Sequence, residues 1–168
     1  MKRLESSRLI LRAWTKYDLN DLHEIMSNKK VADLAGFRVR ANISEINEIL
    51  KKFIQEPYNS LWAIELKEIN KVVGWIELHE PMDNVCVGSK EIGFVLSELC
   101  WGRGVAIEAI KQIVTYAFME EQACCIVCSH FQNNIQSKKV IEKSGFKYKL
   151  KYNDKFYYCL ENVLNLRQ

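Results

Sequence analysis

Between Glu91 and Phe118 the chain reads EIGFVLSELCWGRGVAIEAIKQIVTYAF, which divides into a strand, a loop carrying Gly102 and Gly104, and a long amphipathic helix. Glycines at a strand–helix junction let backbone N–H groups crowd where the helix N-terminus concentrates positive partial charge, a combination suited to holding a phosphate. Glu91 opens the strand before this loop. A later segment, Asn134-Ile-Gln-Ser137 through Lys143-Ser-Gly-Phe146, brings an amide and a hydroxyl to the start of another helix.

Several phosphate-binding patterns compete for Trp101-Gly-Arg-Gly104-Val-Ala106. A dinucleotide fingerprint needs glycine or alanine three residues past Gly104, and that position holds Ile107. A Walker loop needs Gly-Lys-Ser/Thr, and the chain contains no such run. An isolated Gly-x-Gly also suits a plain connecting turn, so the surrounding residues must decide. Other chemistry-bearing residues read as structural. Cys125-Ile-Val-Cys128 has metal-ligand spacing but lies inside a strand with Cys124 adjacent and no second ligand pair, so these cysteines read as small core hydrophobes and no metal is expected. His79 and His130 fall at strand ends without a paired nucleophile. Lys138, Lys139 and Lys143 form a basic helix face, read as solvated, that could also meet a phosphate.

The elements that must position these residues follow from periodicity. Leu9–Arg12 reads as an opening strand. Thr15-Lys-Tyr-Asp18 reads as a capping box, with Trp14 and Leu19 as a hydrophobic staple, for a helix to about Ser27. Ser44 is the expected cap of a second helix carrying Ile46, Ile49, Leu50, Phe53 and Ile54, limited by Pro57. Leu61–Leu66 and Val72–Leu78 read as an antiparallel hairpin, Glu91–Leu96 as a strand and 104–118 as a helix. Ala123–Ser129 is a buried strand. A helix from about Ile135 to Ser144 stops at Gly145, and strands around Phe146–Leu150 and Phe156–Leu160 follow. The expected fold class is α/β (α+β): a mixed, mostly antiparallel sheet with helices on its faces.

The chain has 168 residues, net charge +3, 48% hydrophobic and 27% charged residues, consistent with one domain over 1–168. The small net charge disfavours a nucleic-acid partner while leaving room for an anionic ligand. The apolar runs are too short for a bilayer, and MKRLESSRLILRAW lacks the features of a signal peptide. The six cysteines are therefore expected in a reducing, cytoplasmic setting.

Taken together, the glycine loop, Glu91 and the Asn134/Ser137 helix resemble the GCN5-related N-acetyltransferase superfamily. Its acyl-CoA loop follows Gln/Arg-x-x-Gly-x-Gly/Ala; here Trp101 takes the first slot, Gly104 the central glycine and Ala106 the final small residue. The Trp-Gly-Arg-Gly form followed by Glu108-Ala109 is similar to the Rim-type branch, which includes ribosomal-protein N-terminal acetyltransferases. Ser7-Arg8-Leu9-Ile10-Leu11-Arg12-Ala13-Trp14 is similar to that branch's opening signature, Glu91-Ile92-Gly93-Phe94 to its strand pattern, and Asn134-x-x-Ser137 through Phe146 to its last helix.

The resemblance implies a splayed sheet and acetyl-CoA as cosubstrate. The diphosphate would sit over the amides of Gly102, Arg103, Gly104, Val105 and Ala106. The pantetheine arm would pair with the strand edge at Val95 and Leu96, with Asn134 holding the arm or the helix end. An Arg103 contact to phosphate and a merely solvated Arg103 stand as equal alternatives. Glu91 is the first candidate for general base, directly or through a water, and Glu77 the second, because alternation leaves its face ambiguous. Glu91 could instead only order a loop. Ser137 would donate to the leaving sulfur, or serve only as a first-turn helix residue. The partners implied are acetyl-CoA and an amine acceptor, with a homodimer left open. The acceptor could be a protein N-terminus, a polyamine, an amino acid or an aminoglycoside-like compound. Its groove would use the first two helices and the last hairpin, where Tyr148, Tyr152, Tyr157 and Tyr158 offer aromatic edges. A non-catalytic acyl-CoA-binding module on the same fold is the alternative of a different class.

Overall fold

A computed structural model describes residues 1–58, 60–81 and 89–162, and Cys86 lies outside them. Among the described residues, eight strands form one sheet in the order β1-β2-β3-β4-β5-β6-β8-β7. The strands are β1 (Leu4–Glu5), β2 (Leu9–Arg12), β3 (Leu61–Leu66), β4 (Lys71–His79), β5 (Ser89–Leu96), β6 (Cys125–Phe131), β7 (Lys147–Tyr152) and β8 (Lys155–Glu161). Only β5 and β6 run parallel; every other neighbouring pair is antiparallel.

Both faces of the sheet are covered, as the fold class requires. Helices α1 (Leu19–Ser27), α2 (Lys29–Ala35) and α3 (Ile43–Ile54) bury Leu22, Ile25, Val31, Ile46 and Leu50 against Leu61, Ala63, Val72 and Trp75. On the opposite face, α4 (Val105–Met119) and α5 (Ile135–Lys143) bury Ile110, Ile113 and Ile141 against Trp62, Ile64, Ile76 and Ile92. Leu61-Trp62-Ala63-Ile64 thus alternates between two cores, which is why β3 reads as an unbroken apolar run.

The expected elements are present within a residue or two at their ends, with three differences. The cap of α3 is Asn42, whose side chain accepts from the N–H groups of Ser44 and Glu45, so Ser44 sits inside the first turn. Helix α2 was not expected; Asn28 caps it and Gly36, at φ 77°, ends it. Two-residue β1 is too short to carry a periodic signal. The Thr15–Asp18 box is present: Asp18 accepts from the Thr15 N–H at 2.7 Å. Asp18 also takes a forked pair of bonds from Arg12 at 2.8 and 2.9 Å. Burial alone would raise the Asp18 pKa, but Arg12 and the Thr15 N–H outweigh it and hold the carboxyl below its ordinary range.

A bulge decides which way β4 faces. Ile64 pairs with Gly74 and Glu65 with Val72, leaving Val73 as the extra residue. Beyond it, Trp75 turns to the α1–α3 face and Ile76 to the α4–α5 face, so Glu77 follows Trp75. At the same place β4 lies tight on β5. A Cβ on Gly74 would fall 2.2 Å from the Val95 carbonyl oxygen, which is backbone and cannot swing aside. We expect Gly74→Ala to cost about 2 kcal/mol or more in urea denaturation, because β5 itself must shift.

Candidate active site

The parallel pairing of β5 with β6 runs from Ser89–Cys125 to Ile92–Cys128 and ends there. The two strands continue, β5 to Leu96 and β6 to Phe131, but they diverge. Backbone groups of successive strand residues point alternately to the two neighbours. The Ser97 N–H donates to Val73 on the β4 side at 2.7 Å, so Val95 also bonds toward β4 while Phe94 and Leu96 present their amides to the gap. The open edge therefore belongs to Phe94 and Leu96. Val95 contributes its side chain, which packs near Trp75 on the α1–α3 face. Period-two alternation could have supplied this distinction from sequence once the β4 partner was known.

A groove of about 550 Å³ fills the gap, within the usual range for small-molecule sites. Its lining brings together Val95, Leu96, Gly102, Gly104, Val105, Ala106, Asn134 and Ser137. The lining also includes Phe94, Gln136, Lys139 and Lys143, and from α2 Val31, Leu34 and Ala35. Gly102 and Gly104 both adopt left-handed backbone, φ 74° and 76°, and Gly104 immediately precedes α4. The loop thus delivers N–H groups to the positive end of a fifteen-residue helix.

Trp101, the departure from the acyl-CoA loop pattern, spans both apolar cores, and its indole N–H donates to the Leu96 carbonyl at 2.9 Å. The side chain fastens the loop to the end of β5. Arg103 leans out of the groove toward Glu68, at 3.5 Å, so its guanidinium is not among the groove's donors. Lys139 and Lys143 reach the groove while Lys138 faces Glu142 at 3.8 Å, so the basic face is divided between ligand side and surface.

Asn134 is both cap and clamp. Its Oδ1 accepts from the Ser137 N–H at 2.9 Å, and its Nδ2 donates to the Leu34 carbonyl at 2.9 Å. It therefore joins the start of α5 to the end of α2 across the groove. Gly36 completes that junction, since a Cβ there would lie 2.6 Å from the Phe131 ring.

Glu91 does not line this groove. It is 8% exposed, on the α1–α3 side of β5, and accepts from the Ser129 hydroxyl at 3.1 Å. Glu77 shares that face and lies over Gly93, where a Cβ would be 2.4 Å from Glu77 Oε1. Burial raises the Glu77 pKa, His79 pulls it back, and the negative charges of Glu91 and Glu56 push it up again; the net direction is upward. His79 accordingly belongs to the carboxylate group at the strand ends. His130 is buried among Phe156 and Tyr158, its Nδ1 2.8 Å from the Phe131 carbonyl. Tyr157 and Tyr158 are buried, leaving Tyr148 and Tyr152 as the exposed edges of the last hairpin. Burial pushes the Cys128 thiol up, as suits a core residue, and no cluster of metal-ligating side chains occurs among the described residues.

The Acetyltransferase (GNAT) domain family matches residues 8–147, and the chain belongs to it. A curated relative, the uncharacterized N-acetyltransferase YoaA of Bacillus subtilis (strain 168), is 28% identical over 146 residues, 85% of this chain and 81% of that protein. Among solved structures, a GNAT-family acetyltransferase from Bacillus anthracis superposes with TM-score 0.81 at 23% identity, covering 95% of this chain and 98% of its own. A spermidine N-acetyltransferase from Vibrio cholerae, in complex with CoA and spermine, gives 0.75 at 20% identity over 96% and 99%. A ribosomal-protein-S5-alanine acetyltransferase from Vibrio fischeri gives 0.75 at 15% over 97% and 98%. The protein is an N-acetyltransferase by family.

The raised Glu77 pKa has a stability consequence. A carboxyl that holds its proton more tightly when folded contributes stability below the unfolded pKa of about 4.3 and loses it as pH rises through the folded pKa. Glu77→Gln carries no such loss. Urea denaturation at about pH 5 and about pH 8 should show the difference between variant and wild type moving in the variant's favour at the higher pH.

Proposed function

We propose that the protein transfers an acetyl group from acetyl-CoA to a primary amine by direct attack within a ternary complex. The observation that carries this reading is the gap between β5 and β6, with the glycine loop at one end. The unpaired amides of Phe94 and Leu96 suit the two amide groups of a pantetheine arm, which would add to β5 as an extra strand. The N–H groups between Gly102 and Ala106 suit the diphosphate, with Lys139 and Lys143 available to its charge.

In the transfer step the amine nitrogen attacks the thioester carbon, forming the C–N bond, and the C–S bond breaks. Glu91 takes the proton from nitrogen, directly or through a water, and Ser137 supplies a hydrogen bond to the departing thiolate. Ser137 lines the groove beside the Asn134 cap, which supports that assignment. Glu91 shares the face of Val95, a groove residue, just before the strands diverge, which supports its assignment as the base.

For the acceptor we propose a protein N-terminal α-amine. At pH 7 a lysine-like amine is neutral in roughly one molecule in 2,500, a handicap of about 4.6 kcal/mol, whereas an α-amine gives up only about 1 kcal/mol. One buried glutamate suffices for the second and is heavily taxed by the first. The Rim-type sequence signature supports the same assignment. A small cationic amine is the second reading, favoured by the mutual electrostatic reach of Glu56, Glu77 and Glu91. Free-thiol release from acetyl-CoA should respond to peptides with free N-termini more strongly than to polyamines, amino acids or aminoglycosides. On the best acceptor, Glu91→Gln and Ser137→Ala should each lower kcat by about 10²-fold. Strong turnover with polyamines alone assigns the second reading, and turnover with none removes the catalytic assignment.

A further inference from the structure

The opening motif Ser6-Ser7-Arg8 takes no part in the chemistry described above, yet its side chains converge on the first turn of α4. Glu108 accepts from Ser6 Oγ at 2.7 Å, Ser7 Oγ at 3.2 Å, the Arg8 N–H at 3.0 Å and Arg8 Nε at 2.7 Å. Arg8 Nη2 completes the ion pair at 2.6 Å. Burial alone would raise the Glu108 pKa, but the Ser6 hydroxyl and the Arg8 amide and guanidinium outweigh it, so the carboxyl stays below its ordinary range. The guanidinium is therefore held from one side by a fixed, charged partner.

From that seat Arg8 Nη1 donates to the carbonyl oxygen of Arg103 at 2.9 Å. Trans peptides point a carbonyl and the following N–H in opposite directions, and the described residues contain no cis bond. With the Arg103 carbonyl drawn toward Arg8, the Gly104 N–H points away from Arg8. Gly104 lines the groove and Arg103 does not, so that opposite side is the ligand side. The peptide needs such a hold because Gly104, at φ 76°, has no Cβ to restrict it. A flipped Arg103–Gly104 peptide would turn a carbonyl dipole, instead of an N–H, toward an incoming anion.

We propose that Arg8, seated by Glu108, is a positioning residue that fixes the Arg103–Gly104 peptide with its N–H directed at the diphosphate of acyl-CoA. The inference rests on acetyl-CoA being the donor. It assigns the Ser-x-Arg opening of the chain to donor binding at a distance of about 100 residues in sequence. Arg8 grips the carboxylate through Nε and Nη2 while Nη1 reaches the carbonyl, a planar fork that the single nitrogen of a lysine does not reproduce.

The experiment compares two donors, acetyl-CoA and S-acetylpantetheine, which lacks the diphosphate. Thermal melting first establishes that Arg8→Ala is folded; if it is not, Arg8→Lys carries the same comparison. The expected result is a Kd for acetyl-CoA, by calorimetry, and a KM each raised about tenfold, the loss of one hydrogen bond to a charged group. The fall in kcat should be smaller than that, and the fall in kcat/KM for S-acetylpantetheine no more than about twofold. An unchanged Kd for acetyl-CoA, or equal losses on both donors, overturns the proposal. A wild-type protein that binds no acetyl-CoA instead refutes the donor reading on which it rests.

Discussion

The pairing of β5 with β6 stops at Ile92 and Cys128 while both strands continue, and the arrangement of the site follows from that interruption. Unpaired backbone groups inside a covered sheet are costly, so the gap persists only because the surrounding elements hold it open and fill its ends. Trp101 spans both apolar cores and satisfies the Leu96 carbonyl with its indole N–H. Asn134 and Gly36 tie α2 to the far strand and to α5. What remains between these fastenings is a channel with amides of one strand on its wall and the positive end of α4 at its mouth.

The same scaffold sorts polar groups by face. The bulge at Val73 turns Glu77 and His79 to the side covered by α1–α3, and Glu91, paired with His79 across β4 and β5, shares that side. Glycine loop, Ser137 and Asn134 line the groove between the diverging strands. The open edge amides of Phe94 and Leu96 and the buried carboxylates of Glu77 and Glu91 are thus presented in different directions from one pair of strands. Gly93 keeps β5 thin enough for the Glu77 carboxyl to cross it.

Much of this was legible in the chain because local physics encodes it. Glycines at 102 and 104 before an apolar-periodic segment mark a loop and a helix start, and α4 begins there, with both glycines in left-handed backbone. Asn134 as a cap follows from its residue type at a helix entrance. Long-range placement was not legible. Which edge residues face the gap depends on the β4 register, so the chain alone points to the strand end at Val95 and Leu96, whereas the amides on the open edge are those of Phe94 and Leu96. Alternation could not orient Glu77 because the bulge before it breaks the period. Helix α2 went unread despite Asn28 and Gly36 at its ends, since seven residues show less than two full periods of a helix. No local signal orients Arg103, whose carbonyl is held by Arg8 and whose side chain turns to Glu68, both distant in sequence.

Residue-resolved amide hydrogen exchange of β5, measured with and without acetyl-CoA, tests the central claim most directly. Without donor, the Phe94 and Leu96 amides should exchange fast while Val95, committed to β4, is protected. Saturating acetyl-CoA should protect Phe94 and Leu96 and leave Val95 as it was. Phe94 and Leu96 amides already protected in the free protein, or still fast when the donor is bound, would contradict an open strand edge that receives the pantetheine arm.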